Sequence, residues 1–240
     1  MSEPRLSVAI PVYNEERNIG ESLRRIAAYL SLGNAGWEVL VSNDGSVDRT
    51  CGVVETYAKE HPEQTIRLLS SHPNRGKGYA VRQGVLAARG RYVLVTDADL
   101  SAPIKESEKL VRALEKGADI AIGSRVVRAP GCDVQQSFKR RLSGRIFNGF
   151  VRSLVLPGIR DSQCGFKCFK NEVAKKLFSE QKLDGFSFDV EVLYLARCLG
   201  YKIAEVPVMW AQAPGSKVNL MRDSFVMVGD LLKIKKLHAS

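Results

Sequence analysis

The chain has 240 residues, of which 45% are hydrophobic, 26% charged and 8% aromatic, with 20 glycines and 9 prolines; these proportions exclude a collagen, a disordered tail and a disulfide-stapled miniprotein. At this length folding buries about 70% of the unfolded surface, so stability requires no disulfide or metal staple. A balance of 36 Lys and Arg against 26 Asp and Glu gives a net charge of +10, which favours an anionic partner (nucleic acid, a phosphorylated ligand or a lipid headgroup surface) without choosing among them.

Alternating helical and extended signals begin at once. A strand is predicted over Leu6 to Pro11, then a helix within Glu15 to Leu32 that places Ile19, Leu23, Ile26, Ala27 and Leu30 on one face. Strands over Glu38 to Ser42, Ile66 to Ser70, Tyr92 to Thr96 and Asp119 to Gly123 follow, with helical segments at Val53 to Ala58 and Ala80 to Ala88 between them. A strand every 25 to 30 residues with helices between is the signature of βαβ units and a mostly parallel, Rossmann-like sheet, whose ligands bind at the carboxyl ends of the strands. Beyond residue 125 the pattern changes. Val134, Phe138, Leu142, Ile146, Phe150 and Leu154 recur every four residues beside Lys139, Arg140, Arg141, Arg145 and Arg152, which predicts a basic amphipathic helix over residues 134–155, suited to an anionic interface or to packing on the core. A similar mix lies at Phe225 to His238.

Five cysteines, Cys51, Cys132, Cys164, Cys168 and Cys198, include no C-x-x-C pair, so reduced thiols are expected rather than a disulfide framework or a zinc ribbon. Met1 to Arg5 is polar and precedes only a short apolar run. A secretory segment is therefore not expected, and no run of 18 apolar residues predicts a membrane span. The expected location is cytoplasmic, with any membrane contact peripheral.

A polar cluster follows each of the first four strands: Tyr13-Asn14-Glu15, Asn43-Asp44-Gly45-Ser46, Asn74-Arg75-Gly76-Lys77-Gly78 and Asp97-Ala98-Asp99. Taken singly, each reads as turn or cap chemistry; in order, they would converge on one edge of the sheet. Asp97 and Asp99, spaced i and i+2 after the apolar run Val93 to Val95, allow one carboxylate to meet a ribose or base while the other ligates a hard divalent cation. Mg²⁺ or Mn²⁺ held there would neutralise charge on a departing nucleoside diphosphate. The glycine-rich Asn74 to Gly78 lacks the G-x-x-x-x-G-K-[ST] spacing, and no G-x-G-x-x-G follows the first strand, which disfavours a P-loop ATPase and a nicotinamide dehydrogenase.

These four motifs, together with Gly123-Ser124-Arg125, Arg160 to Lys167, Phe186 to Glu191 and Gly215-Ser216-Lys217, resemble the ordered motifs of family 2 glycosyltransferases of GT-A fold, in the polyprenyl-phosphate branch. The likeness runs from Leu6 to about Leu232 and fits the glucosyl members that use dolichyl phosphate best, the mannosyl members next. It implies a single α/β domain, with residues 1–125 as the nucleotide-sugar half and 126–240 as the acceptor half. It also implies roles. Pro11, Tyr13, Glu15 and Asp44 would cradle the nucleoside, Asp44 accepting from the base and Lys77 lying near it. Asp97 would serve the ribose or metal region, and Asp99 would be the principal metal ligand. Arg125, Arg141, Arg145 and Lys217 would surround the donor and acceptor phosphates, Asp161, Gln163 and the Gly165-Phe166 turn would shape the sugar pocket, and Asp189 with Glu191 would lie near the reacting centre. Asp97, Asp99, Asp161 and Asp189 are the candidate catalytic group; capping the helix at Val190 to Ala196 is the structural alternative for Asp189.

Two positions depart from the family pattern: Asn43 stands where Asp is usual, and Ser101 where mannosyl members often have Gln. The implied reaction is inverting transfer of glucose from UDP-glucose to a polyprenyl or dolichyl phosphate at the cytoplasmic face of a membrane, with homodimerisation left open. Its alternatives are GDP-mannose as donor and a soluble saccharide as acceptor. A phosphate acceptor is already anionic at neutral pH, so cations to hold it matter more than a tuned base. Nucleic-acid binding, the rival for a basic chain, lacks an RRM, KH or zinc signature.

Overall fold

The computed structural model describes residues 3–127, 129–135, 149, 151–152, 155–212 and 220–239, those of 220–228 as backbone only. The strands are β1 (Leu6–Val12), β2 (Trp37–Asp44), β3 (Ile66–Ser71), β4 (Tyr92–Val95), β5 (Ile120–Ser124), β6 (Val134–Gln135), β7 (Lys167–Lys170), β8 (Ile203–Pro207) and β9 (Trp210–Ala211). Seven of them form one sheet in the order β3-β2-β1-β4-β7-β5-β8, and β6 pairs with β9 separately. Within the large sheet every pairing is parallel except those of β7, which runs antiparallel to both β4 and β5. The mostly parallel α/β architecture predicted from the sequence is the one observed.

Among the described residues the helices α1 (Ile19–Leu30), α2 (Thr50–Glu60), α3 (Lys77–Ala87), α4 (Ser107–Glu115), α5 (Asn171–Glu180), α6 (Phe188–Cys198) and α7 (Leu220–Leu237) flank the sheet. Successive side chains of a strand leave opposite faces, and β1 shows the result. Val8 and Ile10 enter a core shared with Ile19, Leu23 and Ile26 of α1, Val54 of α2 and Leu110 of α4. Ala9 turns to the other core, made with Val81 and Val85 of α3, Leu177 of α5, Val192 of α6 and Leu231 and Ile234 of α7.

Two helix starts differ from expectation, each for a local reason. The amides of Asn14, Glu15 and Glu16 are taken by Ser46 Oγ, Thr50 Oγ1 and Asp48 Oδ2 at 2.9, 2.8 and 3.2 Å, so α1 begins at Ile19 rather than at Glu15. Conversely α3 begins at Lys77, three residues before the predicted Ala80, because Gly76, at φ 118°, makes the turn into it. The predicted basic helix over 134–155 is corrected at its start. Val134 and Gln135 are strand, in register with Trp210 and Ala211, since Trp210 and Gln212 donate their amides to the carbonyls of Asp133 and Gln135. Residues 149, 151 and 152 are helical; Phe138, Lys139, Arg140, Arg141, Leu142, Arg145, Ile146, Phe150 and Leu154 lie outside the described residues. Among the described residues no helix is long and apolar enough to cross a membrane.

At the amino edge of the sheet Glu38 is 1% exposed. It accepts from Ser7 Oγ at 2.6 Å, from the Arg89 amide at 2.6 Å and from Arg67 at 3.4 Å. Glu38→Ala strands the hydroxyl and the amide without an acceptor, and a loss of about 3 kcal/mol of unfolding free energy is expected. Denaturant titration checks it: the midpoint should fall while the slope stays constant.

Candidate active site

The loops after β1, β2, β4 and β5 emerge at one edge because these strands are parallel. Since β7 is reversed, it begins at that edge, and the segment before it, residues 160–166, arrives there too. The first two loops are stitched together: Asn14, at φ 54°, accepts from the Val47 amide at 2.9 Å, and Asn43 Oδ1 accepts from the Ser46 amide at 3.0 Å. An amide oxygen does this as well as a carboxylate, so Asn43 in place of Asp leaves the turn intact. Pro11 lies in β1 opposite Ser42, Tyr13 is 42% exposed, and Glu15 Oε2 accepts from Asn18 Nδ2 at 2.7 Å.

Asp44, expected to accept from a base, is engaged otherwise. It is 2% exposed, and its two oxygens accept from the Arg75 and Gly76 amides at 2.9 and 2.7 Å. It thereby anchors the loop that leads into α3. Lys77 opens that helix, and its ammonium donates to Asp97 Oδ1 at 2.6 Å. Burial works against the Lys77 charge, but Asp97, Asp189 and Asp99 outweigh it and hold its pKa above the ordinary value. Asp99 is in the opposite position: burial and the charge of Asp97 raise its pKa, and the hydrogen bond from the Ser101 amide at 2.9 Å only partly offsets them. Asp97 has a lysine partner, whereas among the described residues Asp99 has no ion-pair partner.

Deeper in, Arg125 and Asp161 form a bidentate pair with Nε–Oδ2 and Nη2–Oδ1 both at 2.8 Å, and the Arg125 amide adds 2.9 Å to Oδ2. Asp161 has no exposed surface. Burial alone would raise its pKa, but Arg125 outweighs it and the value is lowered; the Arg125 pKa is raised against the same burial. Asp161, expected among the catalytic group, is thus enclosed with both oxygens on Arg125 and fixes the direction of that guanidinium, which also lies 5.5 Å from the Trp210 ring centre. Glu205 of β8 holds the approach to Asp161 by accepting from the Arg160 amide at 3.0 Å and the Asp161 amide at 2.9 Å. Gln163 is half-buried on the same segment.

Lys167, 3% exposed, donates to Asp189 Oδ1 at 2.6 Å and to the Cys164 carbonyl at 2.5 Å. The helix cap before Asp189 is Ser187, so Asp189 is no cap; it sits in the first turn of α6, where the helix dipole favours a carboxylate. Glu191, two residues on, projects about 200° further round the helix and serves a different place: its oxygens accept from the Lys182 and Leu183 amides. Sequence reasoning missed Lys167 and Glu205. The available signal was a lysine inside the buried run Phe166 to Phe169, which needs a buried partner. Arg141, Arg145 and Lys217 lie outside the described residues. All five cysteines are unpaired, as expected, and burial pushes the Cys164 thiol up to about 11, so it is no nucleophile at neutral pH.

Asp97, Asp99, Asp161 and Asp189 thus face Lys77, Arg125 and Lys167, one negative charge in excess. The surplus falls on Asp99. The chemistry fits a hard divalent cation, although among the described residues no cluster of three or more Asp, Glu, His or Cys forms a complete ligand set; a bound diphosphate and water would have to complete the shell.

The sequence profile described as glycosyl transferase family 2 matches residues 7–178. The chain is a family 2 glycosyl transferase. The transferase is 39% identical over 240 residues to a dolichyl-phosphate beta-glucosyltransferase of Drosophila melanogaster, covering 95% of this chain and 74% of that protein. It is 37% identical to the Dictyostelium discoideum protein of that name, covering 96% and 73%, and 35% identical to the Homo sapiens one, covering 96% and 75%. Among solved structures, glucosyl-3-phosphoglycerate synthase from Mycobacterium tuberculosis, in complex with Mn²⁺, UDP and glucosyl-3-phosphoglycerate, superimposes with a TM-score of 0.72 at 21% identity over 96% of the transferase and 80% of that chain. The fold is therefore the GT-A fold of the family.

A close approach brings the segment before β7 against the loop after β4. A Cβ at Gly165 would stand 2.3 Å from Asp97 Oδ2, so any side chain there displaces the Asp97 carboxylate from its present place beside Lys77. Gly165→Ala is expected to lower turnover by about 10²-fold, the scale of a displacement of about 1 Å in a reacting site, with little change in thermal stability. Steady-state kinetics beside a melting curve checks both.

Proposed function

We propose that the transferase moves glucose from UDP-glucose to the phosphate of dolichyl phosphate, inverting the anomeric carbon and releasing UDP. The observation that carries the reading is the pairing of a donor-type group, Lys77, Asp97 and Asp99, with the buried Arg125 to Asp161 pair at one sheet edge, in a chain 35–39% identical to proteins named for this activity. Lys77, backed by the amino end of α3, meets the donor's phosphates. Asp99 holds the divalent cation; when bound, the cation neutralises charge on the departing diphosphate. Arg125, held rigid by Asp161 through Nε and Nη2, keeps its Nη1 side for a phosphate.

The acceptor phosphate, with a second pKa of about 6, arrives already ionised. No side chain need remove a proton, which agrees with Asp189 being engaged by Lys167. Its task on this reading is to orient a sugar hydroxyl beside Lys77. The reading keeps residues 1–125 as the donor half and 126–240 as the acceptor half, and it extends to Arg141, Arg145 and Lys217 as further phosphate ligands. It puts the chain peripherally at the cytoplasmic face of a membrane, where a charge of +10 draws it to anionic lipid at about 1 kcal/mol per juxtaposed basic residue. Incubation with UDP-glucose, UDP-galactose or GDP-mannose, a polyprenyl phosphate and Mn²⁺ or Mg²⁺, followed by mass analysis of the lipid fraction, tests it. Hexosyl lipid from UDP-glucose alone is expected. Product from GDP-mannose alone, or none in the lipid fraction, contradicts it.

A further inference from the structure

Glu191 has no exposed surface, yet three groups converge on its carboxylate. The Lys182 amide donates to Oε1 at 2.8 Å, the Leu183 amide to Oε2 at 2.9 Å, and His238 Nε2 lies 2.7 Å from Oε1. An ionised carboxylate only accepts, so His238 donates from Nε2. His238 immediately follows α7, whose Asp230 accepts from Ser187 Oγ at 2.8 Å and whose Leu237 carbonyl accepts from Lys182 Nζ. The end of α7 is therefore fastened both to α6 and to residues 182–183.

Those residues are the surface on which the Lys77 loop rests. The Tyr79 amide donates to the Asp184 carbonyl at 3.1 Å, and Gln181 Nε2 donates to the carbonyls of Gly78 and Leu183 at 3.0 and 2.7 Å. The contact is backbone on backbone: a Cβ at Gly76 would come within 2.5 Å of the Asp184 carbonyl and one at Gly78 within 2.7 Å of the Leu183 carbonyl. Gly76 and Gly78 have no side chain to absorb a shift, and Arg75 and Arg82 pair with Asp184 at 3.3 and 2.9 Å, so a movement of 182–184 passes to Gly76 and Gly78, and so to Lys77 on Asp97.

We propose that His238 and Glu191 are positioning residues that couple the seating of α7 to the placement of Lys77 in the donor site. The kinetic part rests on the donor reading above; the structural part does not. Because Glu191 is wholly buried, its replacement tests folding as much as coupling, and the informative change is at His238. Hydrogen exchange is compared, without substrate, in the full chain, in His238→Ala and in His238→Gln, whose amide can still donate to Glu191. In His238→Ala the amides of Lys182 and Leu183 and those of Arg75, Gly76 and Tyr79 should all exchange about tenfold faster, with His238→Gln restoring protection. The KM for UDP-glucose should rise about threefold or more with kcat nearly unchanged. Faster exchange confined to Lys182 and Leu183, or no change at either segment, overturns the coupling. Failure of the parent chain to use UDP-glucose would instead refute the donor reading, and exchange would still decide the coupling.

Discussion

Asp99→Asn is expected to lower glucosyl transfer by about 10²–10³-fold, the scale seen when one group stabilising transition-state charge is lost, with no loss of thermal stability. The reason lies in the asymmetry of the carboxylate pair. Asp97 is neutralised by Lys77 at 2.6 Å, whereas the ionisation of Asp99 is opposed by burial and by Asp97. Asparagine keeps an oxygen for the Ser101 amide, 2.9 Å away, and removes only the charge, so folding is relieved of a repulsion while, on the proposed reading, the cation loses a charged ligand. Chelation of the parent enzyme should produce the same fall, and chelation of Asp99→Asn should add nothing to it. Parallel rate measurements with and without chelator check the pair of results; full turnover by Asp99→Asn removes Asp99 from cation binding.

Asp161→Ala is expected to cost about 3–5 kcal/mol of stability, because it leaves the Arg125 guanidinium in the protein without its counter-ion. Asp161 has no exposed surface and Arg125 is 21% exposed in its side chain, so solvent screens the loss only weakly. In a double-mutant cycle Arg125→Ala with Asp161→Ala should cost less than the sum of the two single changes, as for any pair in contact. The pair also gives a pH signature. Since the Asp161 pKa is lowered on folding, its contribution is complete above the unfolded carboxylate value of about 3.9 and is lost as pH falls below that toward the folded value. Stability measured between about pH 5 and pH 2 should therefore fall less steeply in Asp161→Ala than in the parent.

The first half of the fold was legible because parallel strands buried on both faces read as largely apolar runs, as β1, β4, β5 and the Val39 to Val41 centre of β2 do. The second half was not. β7 is four residues, Lys167–Lys170, with a lysine at each end, and it tolerates a place in the middle of the sheet only because those lysines meet Asp189 and Asp119 at 2.6 and 2.8 Å. Neither partner is near in sequence, so no local pattern announces the strand or its reversal, and that reversal is what delivers Gly165 and Asp161 to the site. The stripe read at every fourth residue from Val134 to Leu154 illustrates a second limit. Four residues advance a helix by about 400°, so such a stripe drifts about 40° per step and winds round the helix instead of keeping to one side. Among the described residues of that segment Val151 and Val155, off that stripe, are buried; Phe138, Leu142, Ile146, Phe150 and Leu154 lie outside the described residues.

Within the site, the positions of Asp97, Asp99 and Lys77 followed from the rule that ligands gather at strand ends, and that of Arg125 from the family resemblance. Which oxygens remained open did not follow. Asp44 was readable as a polar residue at the end of β2, but the two amides that occupy it belong to Arg75 and Gly76, about thirty residues on. Asp161 was readable as part of a motif, and only the structure shows it buried with its oxygens on Arg125.

The most direct test of a single centre serving both anions is to crystallise the transferase with Mn²⁺ and UDP and to locate the metal by its anomalous scattering. A manganese peak against Asp99, with the UDP phosphates beside Lys77, is the expected result. A peak away from Asp99, or UDP bound in another cleft such as that between α1 and α2, would contradict it.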